Sequence, residues 1–404
     1  MARIIGAALW AMRQAGLCLA TTGVVHLAAL GVARAAEADP SAPGVPPAAQ
    51  GSRAATPAGP VESPPPEPGS LSYEFGRGLR LGSTGVTLGG YATLEARAPQ
   101  VGPLRVESRH ASLFLWWEAS ERLKTFAELD LQNLTEGPRE RDDAQARRVS
   151  LERLYADYSV DDRLVLRAGK FLTPIGRWNL SHADPLVWTT TRPLVTQAVF
   201  PHNVTGVGAA GQVVPLGQPL SYSLYFSNGR EWRPDPSQDT FSFVRGARLV
   251  TPLASELQLG LSMARYEQRR SRGDSRWLNG LDLLWVRQRW EVSAEWLHTV
   301  ADNPTLAPGP GLGPDHDEPG NNRRNETKAG YVQVVAPLTR TVYAIGRFDW
   351  MREPRAPQAV QQWLVGLAWR LNPAVTFKIE AIEPRRAGPG AEVRGLVGSA
   401  SVLF

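Results

Sequence analysis

A period of two limits what this chain can fold into more than any other feature. From Gly85 onward, apolar and polar residues fall on alternate sides of short segments. Val86, Leu88, Ala92, Leu94 and Ala96 oppose Thr87, Tyr91, Thr93, Glu95 and Arg97. Leu220, Tyr222, Leu224 and Phe226 oppose Ser221, Ser223, Tyr225 and Ser227, and Val375, Phe377, Ile379 and Ala381 oppose Thr376, Lys378 and Glu380. Successive side chains of a strand point to opposite faces, so each segment reads as a strand with one apolar and one polar side. An uninterrupted apolar run of about 18 residues, the length a membrane-crossing helix needs, does not occur in the body of the chain.

The connections carry the next constraint. Short ones (119–122, 161–163, 214–218, 251–256, 287–289, 337–340, 372–373) alternate with longer, polar, Pro- and Gly-bearing ones (132–147, 172–203, 228–240, 268–275, 301–327, 353–358). Short turns on one rim and long loops on the other are the pattern of an antiparallel barrel in a membrane. The segments between them number about sixteen, within about two, and an even number lets the first and last strands pair antiparallel. The expected fold is therefore all-β: a transmembrane, up-and-down β-barrel of about sixteen strands. Tryptophans near many segment ends suit the two water–lipid boundaries of such a barrel. The competing architectures are a large β-sandwich and a β-propeller, and a propeller's repeat of about 40–50 residues is not found.

Composition sorts the ends of the chain. Residues 1–35 read as an export signal: Arg3 and Arg13, an apolar stretch over 15–32, and Ala33-Arg34-Ala35 as the cleavage site. Cys18, the one cysteine, lies inside that segment, so the exported chain would carry neither disulfides nor thiolate metal sites. Residues 36–70 are rich in Ala, Pro, Ser and Gly and read as a disordered periplasmic spacer, leaving 71–404 as the folded body. The formal net charge of +5 falls to about +2 once Arg3, Arg13 and Arg34 are removed. No basic cluster with interleaved aromatics is present, which argues against nucleic acid as a partner.

The end of the chain is the last alternating segment. Leu396, Ala400, Val402 and Phe404 share one side, and Val397, Ser399, Ser401 and Leu403 the other. This resembles the closing strand of bacterial outer-membrane β-barrels, whose final Phe serves in recognition by the barrel-assembly machinery. The resemblance implies outer-membrane lipid around the barrel and Phe404 as an assembly signal, while the even strand count makes residues 86–98 the partner of the last strand.

A second resemblance rests on Leu151-Glu152-Arg153-Leu154-Tyr155-Ala156-Asp157-Tyr158, Leu166-Arg167-Ala168-Gly169-Lys170-Phe171 and Pro174-x-Gly176. The run is similar to bacterial porins of the phosphate-selective O/P superfamily, in which such a stretch precedes a constriction loop. That likeness covers roughly 113–203 and implies a homotrimer of sixteen-stranded barrels and a passive pore for small hydrophilic solutes, phosphate among them.

Loop 172–203 is the longest connection that is also rich in apolar residues, so it is expected to fold into the lumen rather than extend into solvent, the alternative being a lid packed over the outer mouth. It would present Lys170, Arg177, His182, Asp184 and Arg192 at a constriction. Parity assigns Arg97, Lys124, Arg153, Arg248, Arg347 and Lys378 to the lumen. It also assigns Glu95, Glu128, Asp130, Asp157, Asp282, Glu295, Asp349 and Glu380 there. Rings of one sign select ions, and this set is mixed. The alternative function is a barrel with a plugged lumen acting as adhesin, scaffold or enzyme. Enzymatic signals are weak: Ser181 and His182 are sequence neighbours, and no G-x-S-x-G elbow occurs. Asp315-His316-Asp317-Glu318 has the ligand types for a divalent cation but sits in a Pro/Gly/Asn-rich loop, where a solvated tip is the simpler reading. No cofactor or metal is expected.

Overall fold

A computed structural model describes residues 71–132, 148–181, 183–231, 239–302, 326–353, 358–386 and 392–404. Its described residues form one sheet of 18 strands. Two short ones, β1 (Leu71–Glu74) and β2 (Gly78–Leu81), make a hairpin. The other sixteen close into the barrel. They are β3 (Val86–Pro99), β4 (Arg105–Glu118), β5 (Leu123–Gln132), β6 (Arg148–Asp161), β7 (Leu164–Leu172), β8 (Asn203–Val213), β9 (Leu220–Ser227) and β10 (Phe241–Ala254). The second half comprises β11 (Leu257–Gln268), β12 (Arg276–Arg287), β13 (Trp290–Ala301), β14 (Glu326–Pro337), β15 (Val342–Arg352), β16 (Val360–Arg370), β17 (Val375–Arg386) and β18 (Gly395–Leu403). Each barrel strand pairs antiparallel with the next, and β18 returns to β3. The expected antiparallel up-and-down barrel and the pairing of the last strand with 86–98 are both observed.

The alternation seen in the sequence maps onto two environments. Leu94, Leu113, Leu129, Met263, Leu281, Val332, Val365 and Ile379 are exposed on the outside. Their in-strand neighbours Thr93, Ser112, Glu128, Ser262, Asp282, Gln333, Leu364 and Lys378 are buried on the inside. A soluble protein would not leave such a continuous apolar exterior in water; a bilayer covers it. At the tight turn between β12 and β13, Gln288 has φ 53°, the left-handed conformation that two-residue hairpin turns demand.

The hairpin is an addition to the sequence reading, which placed the first strand at Val86. β2 pairs with β3 through Leu79↔Leu88 and Arg80↔Thr87. β18 takes the same edge of β3 from Leu403↔Tyr91 upward. Between them Phe404 exchanges two backbone hydrogen bonds with Gly90, at 2.8 and 2.9 Å. β2 therefore follows β18 along one edge and in the same direction. The Phe404 ring lies over Gly90, where a Cβ would sit 3.0 Å from its Cζ and 2.2 Å from the Ser112 carbonyl oxygen.

Candidate functional site

The segment 173–202 leaves β7 and returns to β8 through a closed neck. The Thr173 N–H donates to the His202 carbonyl at 2.8 Å, and the Asn179 Nδ2 donates to the carbonyls of Thr173 and His202 at 2.9 and 3.0 Å. The segment contains a 3₁₀ turn (Trp178–Ser181) and one short helix, α1 (Leu194–Ala198). Ile175, Leu194 and Val195 have no exposed surface. They pack in one cluster with Tyr266, Leu278, Leu297 and Tyr331, which alternate with the exposed residues of β11–β14.

Its polar contacts reach inward-facing residues far round the sheet. The backbone N–H groups of Arg177 and Trp178 donate to Glu295 on β13, and Gly176 donates to the Ser262 hydroxyl at 3.2 Å. Three successive threonines meet a pair of buried charges. The Thr190 and Thr191 N–H groups and the Thr191 hydroxyl donate to the Glu380 carboxylate, while Arg347 donates to the Thr189 hydroxyl at 2.6 Å and the Thr191 carbonyl at 2.9 Å. Lys378 donates to the Asp184 carbonyl, Arg370 to that of Leu186, and Tyr266 to that of Val199. On the other side, Ala183 packs with Tyr91, Phe114 and Phe126 of β3–β5. Buried charges need such partners because each unpaired one carries a large desolvation cost.

No family model matches the chain. A curated relative, an uncharacterized protein of Aquifex aeolicus (strain VF5), is 27% identical over 150 residues, covering 36% of this chain and 32% of that protein. The chain thus spans about a third of that relative's length. Among solved structures, OmpF of Salmonella typhi, determined in complex with daunomycin, superposes with TM-score 0.57 at 9% identity, over 83% of this chain and 100% of that one. The anion-selective porin of Comamonas acidovorans gives 0.53 at 12%, over 79% and 98%. A loop-deleted OmpT of Vibrio cholerae, an outer-membrane protein, gives 0.53 at 7%, over 79% and 99%. The chain has the porin fold.

On this porin fold the residues singled out from sequence occupy different places. Arg177 is largely buried, with its guanidinium 3.2 Å from the Gln258 Oε1 and 3.6 Å from Asp282. Asp184 is buried, and Arg192 is half-buried with its charge acting on His202. Lys170 differs from the expectation. It belongs to β7 and pairs in register with Leu154 and Thr205, on the side of exposed Leu154 and Leu166 and opposite to Arg167 and Phe171. There it forms an ion pair with Glu231 at 3.0 Å. The reason is plain alternation at the end of β7: Phe171 takes the inward place, so its neighbour Lys170 takes the other face. His182 and the Asp315–Glu318 tetrad lie outside the described residues. Among the described residues no three His, Cys, Asp or Glu side chains are grouped to hold a metal.

Ion pairs run along the inner wall. Arg97 pairs with Glu95 and Glu392, Arg153 with Glu128, Arg167 with Asp157, Arg248 with Asp282, and Arg347 with Asp349. In most of them the guanidinium stands in front: side-chain exposure is 32% against 4% for Arg97 and Glu95, 18% against 1% for Arg153 and Glu128, and 25% against 11% for Arg167 and Asp157. Arg347 and Asp349 are both fully buried. Two of the forward guanidiniums rest on aromatic rings. Arg153 lies 4.4 Å from the Phe126 centroid and Arg167 3.9 Å from that of Tyr155. Sequence parity assigns Arg97, Arg153, Arg248, Arg347 and their strand carboxylates to the lumen but carries no information about depth, and it does not include Arg167, whose guanidinium rests on Tyr155.

In the neck, burial and then the charge of Arg192 lower the His202 imidazole to about 4. Its ring nitrogen contacts the Thr196 carbonyl.

Proposed function

We propose that this chain is a porin of a bacterial outer membrane: a passive, cofactor-free and non-enzymatic pathway for small hydrophilic solutes, with a preference for anions such as phosphate. In this reading the 173–202 segment is the constriction, and Arg177, Asp184 and Arg192 belong to it. Residues 1–35 serve as the export signal. The resemblance of 151–176 to phosphate-selective porins adds a homotrimeric assembly, and Phe404 the assembly signal.

The carrying observation is the order of charges within the ion pairs. Glu95, Glu128 and Asp157 are covered, while Arg97, Arg153 and Arg167 show more surface. A solute therefore meets guanidinium before carboxylate, although the two are nearly equal in number. Stacking on Phe126 and Tyr155 fixes two of these planes, so little side-chain entropy is lost when an anion approaches. A planar fork of donors also suits phosphate and carboxylate oxygens.

Planar-bilayer recordings in a salt gradient test the proposal. The expected result is stepwise conductance with an anion-favouring reversal potential, shifted toward cations by Arg153→Gln with Arg167→Gln, and separately by Arg177→Ala with Arg192→Ala. Cation preference in the unaltered protein, unaffected by either pair, would refute the charge-order argument.

The dense packing of the 173–202 segment against β11–β18 favours a second reading, a barrel whose lumen is closed and which serves as adhesin, scaffold or enzyme. Swelling of reconstituted vesicles in sugars of graded size separates the two, because a closed barrel admits none.

A further inference from the structure

The outside of the barrel carries a second charge pattern, which the transport reading does not use. Cross-strand register fixes which residues share a row there. One row runs Phe226–Arg245–Arg265–Trp277–Val300–Glu326 across β9–β14. The adjacent row runs Met263–Asn279–His298–Lys328–Arg352 across β11–β15. Both lie on the outer face, since Phe226, Trp277 and Met263 are exposed by 46%, 45% and 60%. The next row toward the middle is Leu261–Leu281–Trp296–Gly330–Trp350, and the one after it is Leu259–Leu283–Ala294–Val332–Phe348. The outer surface thus passes from basic to aromatic to aliphatic within four rows, on the side of the long connections.

This order is that of a lipid leaflet, with headgroup, boundary and acyl chains in succession. The basic rows are also electrostatically awkward on their own. Arg245 stands directly opposite Arg265, and Lys328 directly opposite Arg352. Like charges facing each other across neighbouring strands destabilise a sheet. Nearby acids are partly committed: Asp302 pairs with Arg265, Glu326 with Lys328 and His298, and Glu267 accepts from Ser242 and Gly273. Arg245 and Arg352 are exposed, and neither is paired with a carboxylate among the described residues.

We propose that these two rows bind the phosphate groups of anionic lipid headgroups in the leaflet on the side of the long connections. An oxygen-rich anion between Arg245 and Arg265, and another between Lys328 and Arg352, would turn two repulsions into bridged contacts. The lipid's acyl chains would then run down over Trp277 and Trp296 onto Leu261 and Leu281. Continuity with the apolar exterior selects a lipid over a soluble anion, because the same molecule satisfies the basic rows and the surface below them.

The test uses the full-length protein in neutral detergent micelles, with bound lipid counted by native mass spectrometry. The probes are phosphatidic acid and phosphatidylcholine of matched chains. One basic residue near a membrane surface contributes about 1 kcal/mol, roughly fivefold in affinity. Arg245→Gln with Arg352→Gln should therefore weaken phosphatidic acid binding by about 25-fold and leave phosphatidylcholine unchanged. Equal retention of the two lipids, or an unaffected double variant, would overturn the proposal. So would an equal loss in Arg287→Gln, an exposed arginine at the opposite rim, since that would mean unspecific attraction. Displacement of phosphatidic acid by millimolar inorganic phosphate would assign the rows to free phosphate instead.

Discussion

Arg347 is the most demanding test of how the 173–202 segment is held. Its side chain and that of Asp349 are both fully buried, 2.9 Å apart. Arg347 also donates to the Thr189 hydroxyl, the Thr191 carbonyl and the Thr191 hydroxyl at 2.6, 2.9 and 3.2 Å. Arg347→Met keeps much of the volume but removes one partner of a buried pair. It leaves the Asp349 carboxylate with the Gln362 amide at 3.2 Å as its side-chain donor among the described residues. Breaking a buried pair in this way costs about 3–5 kcal/mol, whereas replacing both charges by apolar groups is often close to neutral. Arg347→Met with Asp349→Leu should therefore be more stable than Arg347→Met alone by about 3 kcal/mol, a coupling of the size expected only for groups in contact. Denaturant titration of the reconstituted barrel reads the difference, and single-channel records should show larger current fluctuations in the single variant than in the double. A single variant costing under about 1 kcal/mol, or a double variant no better than the single, would show that this pair does not anchor the segment.

Acid should loosen the same segment at its neck. The His202 imidazole is lowered to about 4, so the unfolded neck binds the proton more tightly. Support for the docked segment is complete above the ordinary value near 6.5 and is lost as pH falls from there through about 4. Current fluctuations and protease nicking within 173–202 should rise over that window, and His202→Phe should remove the dependence. Gly90→Ala would force a methyl against the Ser112 carbonyl oxygen and the Phe404 ring, and should lower the folded fraction by at least the 1–3 kcal/mol typical of overpacking. Deleting Phe404 removes two backbone hydrogen bonds at the seam and should reduce assembled barrel in the membrane while leaving the conductance of the remainder unchanged.

Much of this architecture was legible from alternation alone. Strand faces, the partner of the last strand and the rim to which each connection belongs all follow from a period of two and from connection length. The hairpin at 71–81 escaped because its strands are four residues long, too short for a period to declare itself. Lys170 lies at the end of β7 beside the expected loop, and closeness along the chain to a loop does not say which face of the strand a side chain takes. The contacts that hold the 173–202 segment were invisible for a different reason. Alternation says that Glu380 and Arg347 face inward, but not that Thr189, Thr190 and Thr191 will meet them from a distance of more than 150 positions along the chain. The forward placement of Arg153 and Arg167 likewise depends on the rings of Phe126 and Tyr155 beneath them, a relation between strands that no single segment contains.

The shared edge of β3 has a practical consequence for anyone handling the protein. The place a residue would take beyond Phe404 is already filled, with the Gly78 Cα 3.5 Å from where a Cβ on Gly89 would stand and Leu79 in register with Leu88. An affinity tag fused behind Phe404 must either evict the hairpin or turn sharply away from the sheet. One fused ahead of Leu71 meets no such competitor on the β3 edge among the described residues. The barrel is in effect spliced there, its final strand prolonged by a piece of its own beginning.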